Sequence, residues 1–139
     1  MAYTYDYPRP ALTADAVVFC AEEQKILLIK RRNPPFQHKW ALPGGFVDVN
    51  ELPVQACIRE LQEETGLRLK DGQLLGVYGE EGRDPRGWTV SVSFVFKIDK
   101  VLMDKVCPGS DSQEVAWYSI SLLPELAFDH HEIIKAAGL

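Results

Sequence analysis

The chain reads as an α/β (α+β) domain, a mixed β-sheet covered by helices on both faces, and three features predict it. Short unbroken apolar runs, Val17-Val18-Phe19-Cys20 and Ile26-Leu27-Leu28-Ile29, suit strands buried on both sides. Strand-like stretches flank one amphipathic helix, in which Val54, Cys57, Ile58 and Leu61 fall at i, i+3, i+4 and i+7. A second helical stretch closes the chain, so helices are available for both faces of a sheet. Periodicity alone does not separate α/β from α+β.

In chain order, Met1 to Leu12 carries three tyrosines and two prolines without a period and reads as an extended arm. Residues 13–139 read as a single domain, a length that supports a real core. The first two apolar runs form a hairpin across a polar turn, and Asn33-Pro34-Pro35 ends it. Trp40-Ala41-Leu42 is a short strand leading into Pro43-Gly44-Gly45. Pro53 suits the first turn of the helix and Gly66 the left-handed stop after it. Leu74 to Gly79 is the next strand. Trp88 to Ile98 is the clearest strand: Trp88, Val90, Val92, Phe94, Phe96 and Ile98 alternate with Thr89, Ser91, Ser93 and Lys97. Val115 to Tyr118 is a short strand, and Asp129 with Glu132 forms a capping box that opens the last helix.

Composition excludes several function classes. A net charge of −5 gives no basic footprint for nucleic acid, and Lys30-Arg31-Arg32 is too short to supply one. No apolar run approaches the ~20 residues of a membrane span, and the N-terminus lacks a signal-peptide pattern. The three cysteines, Cys20, Cys57 and Cys107, lack metal-ligand spacing; the first two read as small core residues, which places the protein in a reducing cytoplasm.

The chemistry concentrates in Glu60, Glu63 and Glu64, with Glu51 upstream. At helical spacing the trio shares a face, and such like-charge contacts cost ~0.2–0.5 kcal/mol each. A solvated acidic face is one account of them. A platform for a hard divalent cation, which wants oxygen ligands, is the other. The full pattern decides between them: Gly45, five residues, Glu51, seven residues, then Arg59-Glu60-Leu61-Gln62-Glu63-Glu64-Thr65-Gly66-Leu67. This stretch resembles the signature of the Nudix hydrolase family at all nine of its fixed positions.

The resemblance implies a Nudix-type α/β/α sandwich and Mg²⁺- or Mn²⁺-dependent hydrolysis of the pyrophosphate in a nucleoside diphosphate derivative. It implies Glu60 and Glu64 as metal ligands, Glu63 as a direct or water-mediated one, and the Gly45 carbonyl as a further oxygen. Arg59 would be structural and Glu51 a supporting carboxylate. The general base would come from outside the motif, with Glu80, Glu81, Asp111 and Glu114 as candidates.

Arg83-Asp84-Pro85-Arg86-Gly87, together with Tyr7-Pro8-Arg9-Pro10-Ala11-Leu12 and Phe128-Asp129-His130, resembles the ADP-ribose pyrophosphatase subgroup. The proline often found beyond the box in that subgroup stands here as Arg83, with Pro85 two positions on. Arg83 and Arg86 can clamp a phosphate or ribose edge, or they can form loop salt bridges with Asp84 and Glu80. Trp40, Trp88 and Phe36 are aromatics able to stack on adenine or to pack in the core.

The expected reaction is ADP-ribose to AMP and ribose 5-phosphate, on a small-molecule nucleotide, with neither nucleic acid nor membrane as partner. The subgroup resemblance also makes a homodimer available. Two alternatives stand beside it: nucleoside triphosphate pyrophosphohydrolysis, and a non-hydrolysing ADP-ribose sensor. Sensors of this kind carry an added winged helix, for which a chain ending at Leu139 is expected to leave no room.

Overall fold

A computed structural model describes residues 2–109 and 112–139. Strand β1 (Ala11–Cys20) is its spine, pairing in parallel with β6 (Thr89–Lys97) from Ala11–Thr89 to Phe19–Lys97. Outside β6 lies β5 (Gln73–Tyr78), antiparallel, at the edge. The opposite edge of β1 is divided. Its end, Phe19 and Cys20, forms the expected hairpin with β2 (Lys25–Arg31), while Thr13 to Asp15 pairs with β4 (Gly44–Phe46). Strand β2 in turn carries β3 (Trp40–Ala41) and β7 (Ser112–Ser119). Strands β1 and β2 thus touch at one end only and then diverge, with the β3–β4 segment lying between them. That wedge positions the site.

Helix α1 (Pro53–Thr65) covers one face. Ala56, Cys57 and Leu61 pack on Ala14, Ala16 and Val18 of β1, Leu27 of β2, and Phe94 and Phe96 of β6. Burying a side chain the size of Leu or Phe contributes about 1.5–3 kcal/mol, so this cluster anchors the helix firmly. Pro53 opens the helix, the Gln55 side chain accepts the Leu52 N–H at 3.0 Å, and Gly66 ends it at φ 78°. The other face is covered by α2 (His130–Ala136), whose Ile133 and Ile134 meet Val17, Ile26 and Leu28.

One expectation is corrected and another holds. Thr89, Ser91 and Ser93 are all buried, as a sheet covered on both faces requires, because this face of β6 lies on the α2 side. Small hydroxyl side chains fit beneath that second layer, and Ser91 has a buried partner, the Asp15 carboxylate. The capping box at Asp129 does not form: Asp129 makes no side-chain cap bond, because Arg83 takes both of its oxygens. Strand β4 and a 3₁₀ turn over Lys100–Lys105 are elements that the sequence pattern did not disclose. The first is glycine-rich and the second has no buried residue.

Candidate active site

The glutamates of α1 do not share one solvated face. Glu64 is 5% exposed, tucked under β4, where its Oε1 accepts the Gly44 N–H at 2.7 Å. Glu60 lies against Gly45 so closely that a Cβ on that glycine would fall 2.6 Å from its carboxyl carbon. Glu63 is half-exposed and reaches toward Arg59. Glycines 44 and 45 therefore let the strand approach two carboxylates that bulkier residues would exclude.

Arg59 organises this cluster. Its Nε and Nη2 donate to both oxygens of Glu51 at 2.8 and 3.0 Å, Nη1 donates to Glu60 at 2.8 Å, and Nη2 also reaches the Phe46 carbonyl at 3.1 Å. Glu51, expected to support a ligand or a water, is thus committed to orienting this arginine. The paired guanidinium, with help from the Asp48 N–H, holds the Glu51 carboxyl down at about 2. A carboxyl depressed in the folded state adds stability above its ordinary value near 4.5, and that stability drains away as pH falls toward about 2. Glu51→Gln should therefore flatten the acid limb of a melting-temperature titration across this window. An unchanged limb would show that the pair contributes nothing.

Across the wedge, the β5–β6 loop supplies the other wall. The Arg83 side chain is 5% exposed and grips Asp129 with two bonds, at 2.8 and 2.7 Å, so it staples the loop to the start of α2. Burial works against its charge, but Asp129 outweighs burial and raises its pKa. Of the two readings open for Arg83, the salt bridge is the one formed, with Asp129 in place of Asp84 or Glu80. Asp84 is buried and grips Arg86. Burial pushes its carboxyl up, yet the Arg86 side-chain and backbone donors more than reverse this, leaving it below the usual range. Arg86 is partly exposed and lies over two rings, Phe46 at 4.9 Å and Phe128 at 5.3 Å.

These groups line one cleft. Gly44, Gly45, Phe46, Glu64 and Arg86 face it from the β4, α1 and loop sides, with Glu60 on its outer part. The sequence pattern did not single out Asp15, Arg31 or Phe46, and it named Phe128 and His130 only within the subgroup-like stretch Phe128-Asp129-His130, with no role for either; all five line the cleft. Arg31 has its pKa lowered by burial and by its neighbour Arg86, so two cations converge there. An aspartate at an inward position of an apolar strand, in Ala14-Asp15-Ala16-Val17, was the available signal for Asp15.

Other candidates lie elsewhere. Glu114 sits opposite Lys30 on β7, ion-paired with it at 3.2 Å, exposed, and not part of the cleft lining. Glu80 and Glu81 are exposed beside Gly82 in the loop, facing a separate depression. Asp111 lies outside the described residues. Trp40 packs edge-on against Tyr118 and Phe36 packs against Phe128, so neither is a free stacking platform.

Among the described residues, no three His, Cys, Asp or Glu side chains converge into a metal-holding group. Mg²⁺ asks for less than that: one or two carboxylates, waters and substrate phosphates suffice. The hard-oxygen set at Glu60 and Glu64, against the Gly44–Gly45 backbone, fits such an ion.

A sequence model of the NUDIX domain matches residues 9–137. The chain belongs to the Nudix family. This Nudix chain is 44% identical to an ADP-ribose pyrophosphatase of Methanocaldococcus jannaschii, over 93% of its own length and 73% of that protein. It is 37% identical to the ADPR responsive transcriptional repressor NtrR of Acinetobacter baylyi, over 95% of its length, and spans about half (54%) of the repressor. Its fold matches the NUDIX domain of Shewanella oneidensis NrtR in complex with ADP ribose, with a TM-score of 0.86 at 33% identity, covering 96% of this chain and 92% of that one. The mixed sheet covered on both faces is thus the Nudix fold, and Nudix hydrolases generally use divalent metals such as Mg²⁺. No helix is long and apolar enough to cross a membrane among the described residues.

Proposed function

We propose that this Nudix protein hydrolyses ADP-ribose to AMP and ribose 5-phosphate. One observation carries the reading: a single cleft brings the Glu60–Glu64 face of α1 together with the Asp84–Arg86 loop and its aromatic neighbours. The similarity to the archaeal ADP-ribose pyrophosphatase supports it. Glu60 and Glu64, with the Gly45 carbonyl, would hold a divalent cation, and Glu63 would assist at the rim. When bound, that cation supplies neutralisation of the diphosphate charge and acidification of water. Arg59 holds Glu60 in place and is itself fixed by Glu51. Arg86 and Arg31 present cationic groups to the phosphates, and Asp84 keeps the Arg86 fork oriented.

A net charge of −5 favours a small nucleotide over nucleic acid as partner. The domain boundaries (an arm of 1–12 before a domain of 13–139, with Ala11 and Leu12 of that arm already paired in β1), a cytoplasmic location and a homodimer using the arm belong to the same proposal. Within that arm Tyr3, Tyr5 and Tyr7 are exposed.

The test is a substrate screen with product identification. AMP and ribose 5-phosphate from ADP-ribose are expected. Inorganic pyrophosphate from a triphosphate, at higher kcat/KM, would overturn the substrate. ADP-ribose binding without Mg²⁺-dependent turnover would favour a sensor, a reading that the NtrR similarity keeps specific.

Loops must supply the selectivity, because metals and diphosphate are common to every candidate substrate. Arg86→Ala should cut kcat/KM for ADP-ribose by about 10- to 100-fold, the worth of a charged hydrogen bond, and cut it far less for a triphosphate. Arg86→Lys keeps a cation beside buried Asp84 but loses the fork, so a similar loss in that variant separates recognition from stability. Equal losses on both substrates would remove Arg86 from selectivity.

A further inference from the structure

The inner end of the cleft holds a polar pair that the diphosphate chemistry does not use. Asp15 of β1 is 6% exposed, and one carboxylate oxygen accepts the Ser91 hydroxyl. His130, at the start of α2, is 4% exposed, and its Nδ1 accepts the Leu42 N–H at 2.9 Å. That bond places the single ring proton on Nε2. Nε2 lies 3.8 Å from the other Asp15 oxygen, beyond direct hydrogen-bond range. Burial lowers the His130 pKa and favours the neutral ring. With Nδ1 already accepting a bond, His130 is placed as a donor rather than a general base. Both residues line the cleft beside Thr13. A fixed N–H donor and a fixed carboxylate acceptor, side by side at the end of a nucleotide cleft, match a group that both accepts and donates.

We propose that Asp15 and His130 are the sugar-recognising residues of this site, with Asp15 accepting from, and the His130 Nε2–H donating to, vicinal hydroxyls of the terminal ribose. This rests on the hydrolase reading above and names the feature of the substrate that it selects. A base is the poorer match for this end of the cleft. A purine wants apolar faces on both sides, and the two rings of the cleft, Phe46 and Phe128, already face Arg86. The aliphatic Ile29 and Leu42 also line this cleft, but it has no further aromatic ring except that of His130, and Thr13, Arg83 and Asp84 add polar groups to its wall. A site built to bond hydroxyls rejects ligands without them, because its own buried polar groups are then left unpaired.

The test compares three substrates: ADP-ribose, the methyl ester of ADP (which lacks a terminal sugar), and inosine diphosphate ribose (which changes only the base). Wild-type kcat/KM should favour ADP-ribose over the methyl ester by about 100-fold or more. Asp15→Asn keeps the shape and loses the charge. His130→Asn keeps an acceptor for the Leu42 N–H and loses the Nε2 donor. Each should cut kcat/KM for ADP-ribose by about 100-fold, and for the methyl ester by no more than about threefold. Ser91→Ala, a smaller change that frees the Asp15 carboxylate to turn, should move the ratio the same way by about tenfold. Equal losses on ADP-ribose and the methyl ester would show a structural role and overturn the proposal. So would a changed preference between adenine and hypoxanthine with the sugar preference intact. A wild type without sugar preference overturns the proposal even if the variants fail to fold. A wild type that does not cleave ADP-ribose at all sinks the hydrolase reading, and this inference with it; turnover without sugar preference sinks this inference alone.

Discussion

Glu64→Gln and Glu60→Gln should each lower Mg²⁺-dependent turnover by about 1,000-fold or more, the rate equivalent of several kcal/mol of lost charge stabilisation. The fold should survive both changes. In Glu64→Gln the amide oxygen can still accept the Gly44 N–H that Glu64 Oε1 holds at 2.7 Å, so only the charge is removed. In Glu60→Gln, Arg59 keeps its two bonds to Glu51 and its contact with the Phe46 carbonyl. The spacing of the trio predicts that neutralising one member relieves repulsion and raises stability. The structure removes that expectation: Arg59 bonds Glu60 and Glu51 at once, and Glu64 is buried away from exposed Glu63. Thermal midpoints should therefore stay level or fall slightly. Full turnover in both variants, with unchanged circular dichroism, would reduce the cluster to an acidic surface.

The parts of the site that could be read from the sequence are those whose geometry is local. Glu60, Glu63, Glu64 and Gly66 lie within two turns of one helix, and helical periodicity alone relates them. Arg86 and Asp84 are two residues apart, and their pairing follows from that closeness. Contacts between distant segments were not visible. Asp15 meets Ser91 because β1 and β6 are parallel neighbours, and no spacing along the chain encodes that register. His130 reaches the cleft because α2 starts there, held by an Arg83–Asp129 grip that also overrides the capping chemistry of Asp129. The alternation in β6 gave the strand correctly but not its environment. Period two says which residues share a face; whether a second layer covers the other face depends on the rest of the fold.

Gly44→Ala and Gly45→Ala, one residue apart, should fail in opposite ways. A Cβ at Gly44 would lie 2.3 Å from the Ala14 carbonyl oxygen and 2.9 Å from the Asp15 Cα, both backbone atoms of the paired strand β1. Neither can move without breaking the β1–β4 ladder, so Gly44→Ala should destabilise the fold by about 1–3 kcal/mol, the usual cost of overpacking. A Cβ at Gly45 would meet only the far end of a side chain, the Glu60 carboxylate, at 2.6 to 2.8 Å. That end can swing away, so the melting temperature should hardly change. The displaced carboxylate, however, belongs to the pair assigned to the cation, and a misplacement of about 1 Å costs on the order of 100-fold in rate. Gly45→Ala should thus yield a stable, poorly active protein, and Gly44→Ala an unstable one. A double-mutant cycle separates cause from coincidence. In a Glu60→Ala background the obstructing carboxylate is gone, and adding Gly45→Ala should lower turnover no further. If Gly45→Ala still costs the same factor there, its effect does not run through Glu60, and the assignment of the Gly45–Glu60 contact to catalysis fails.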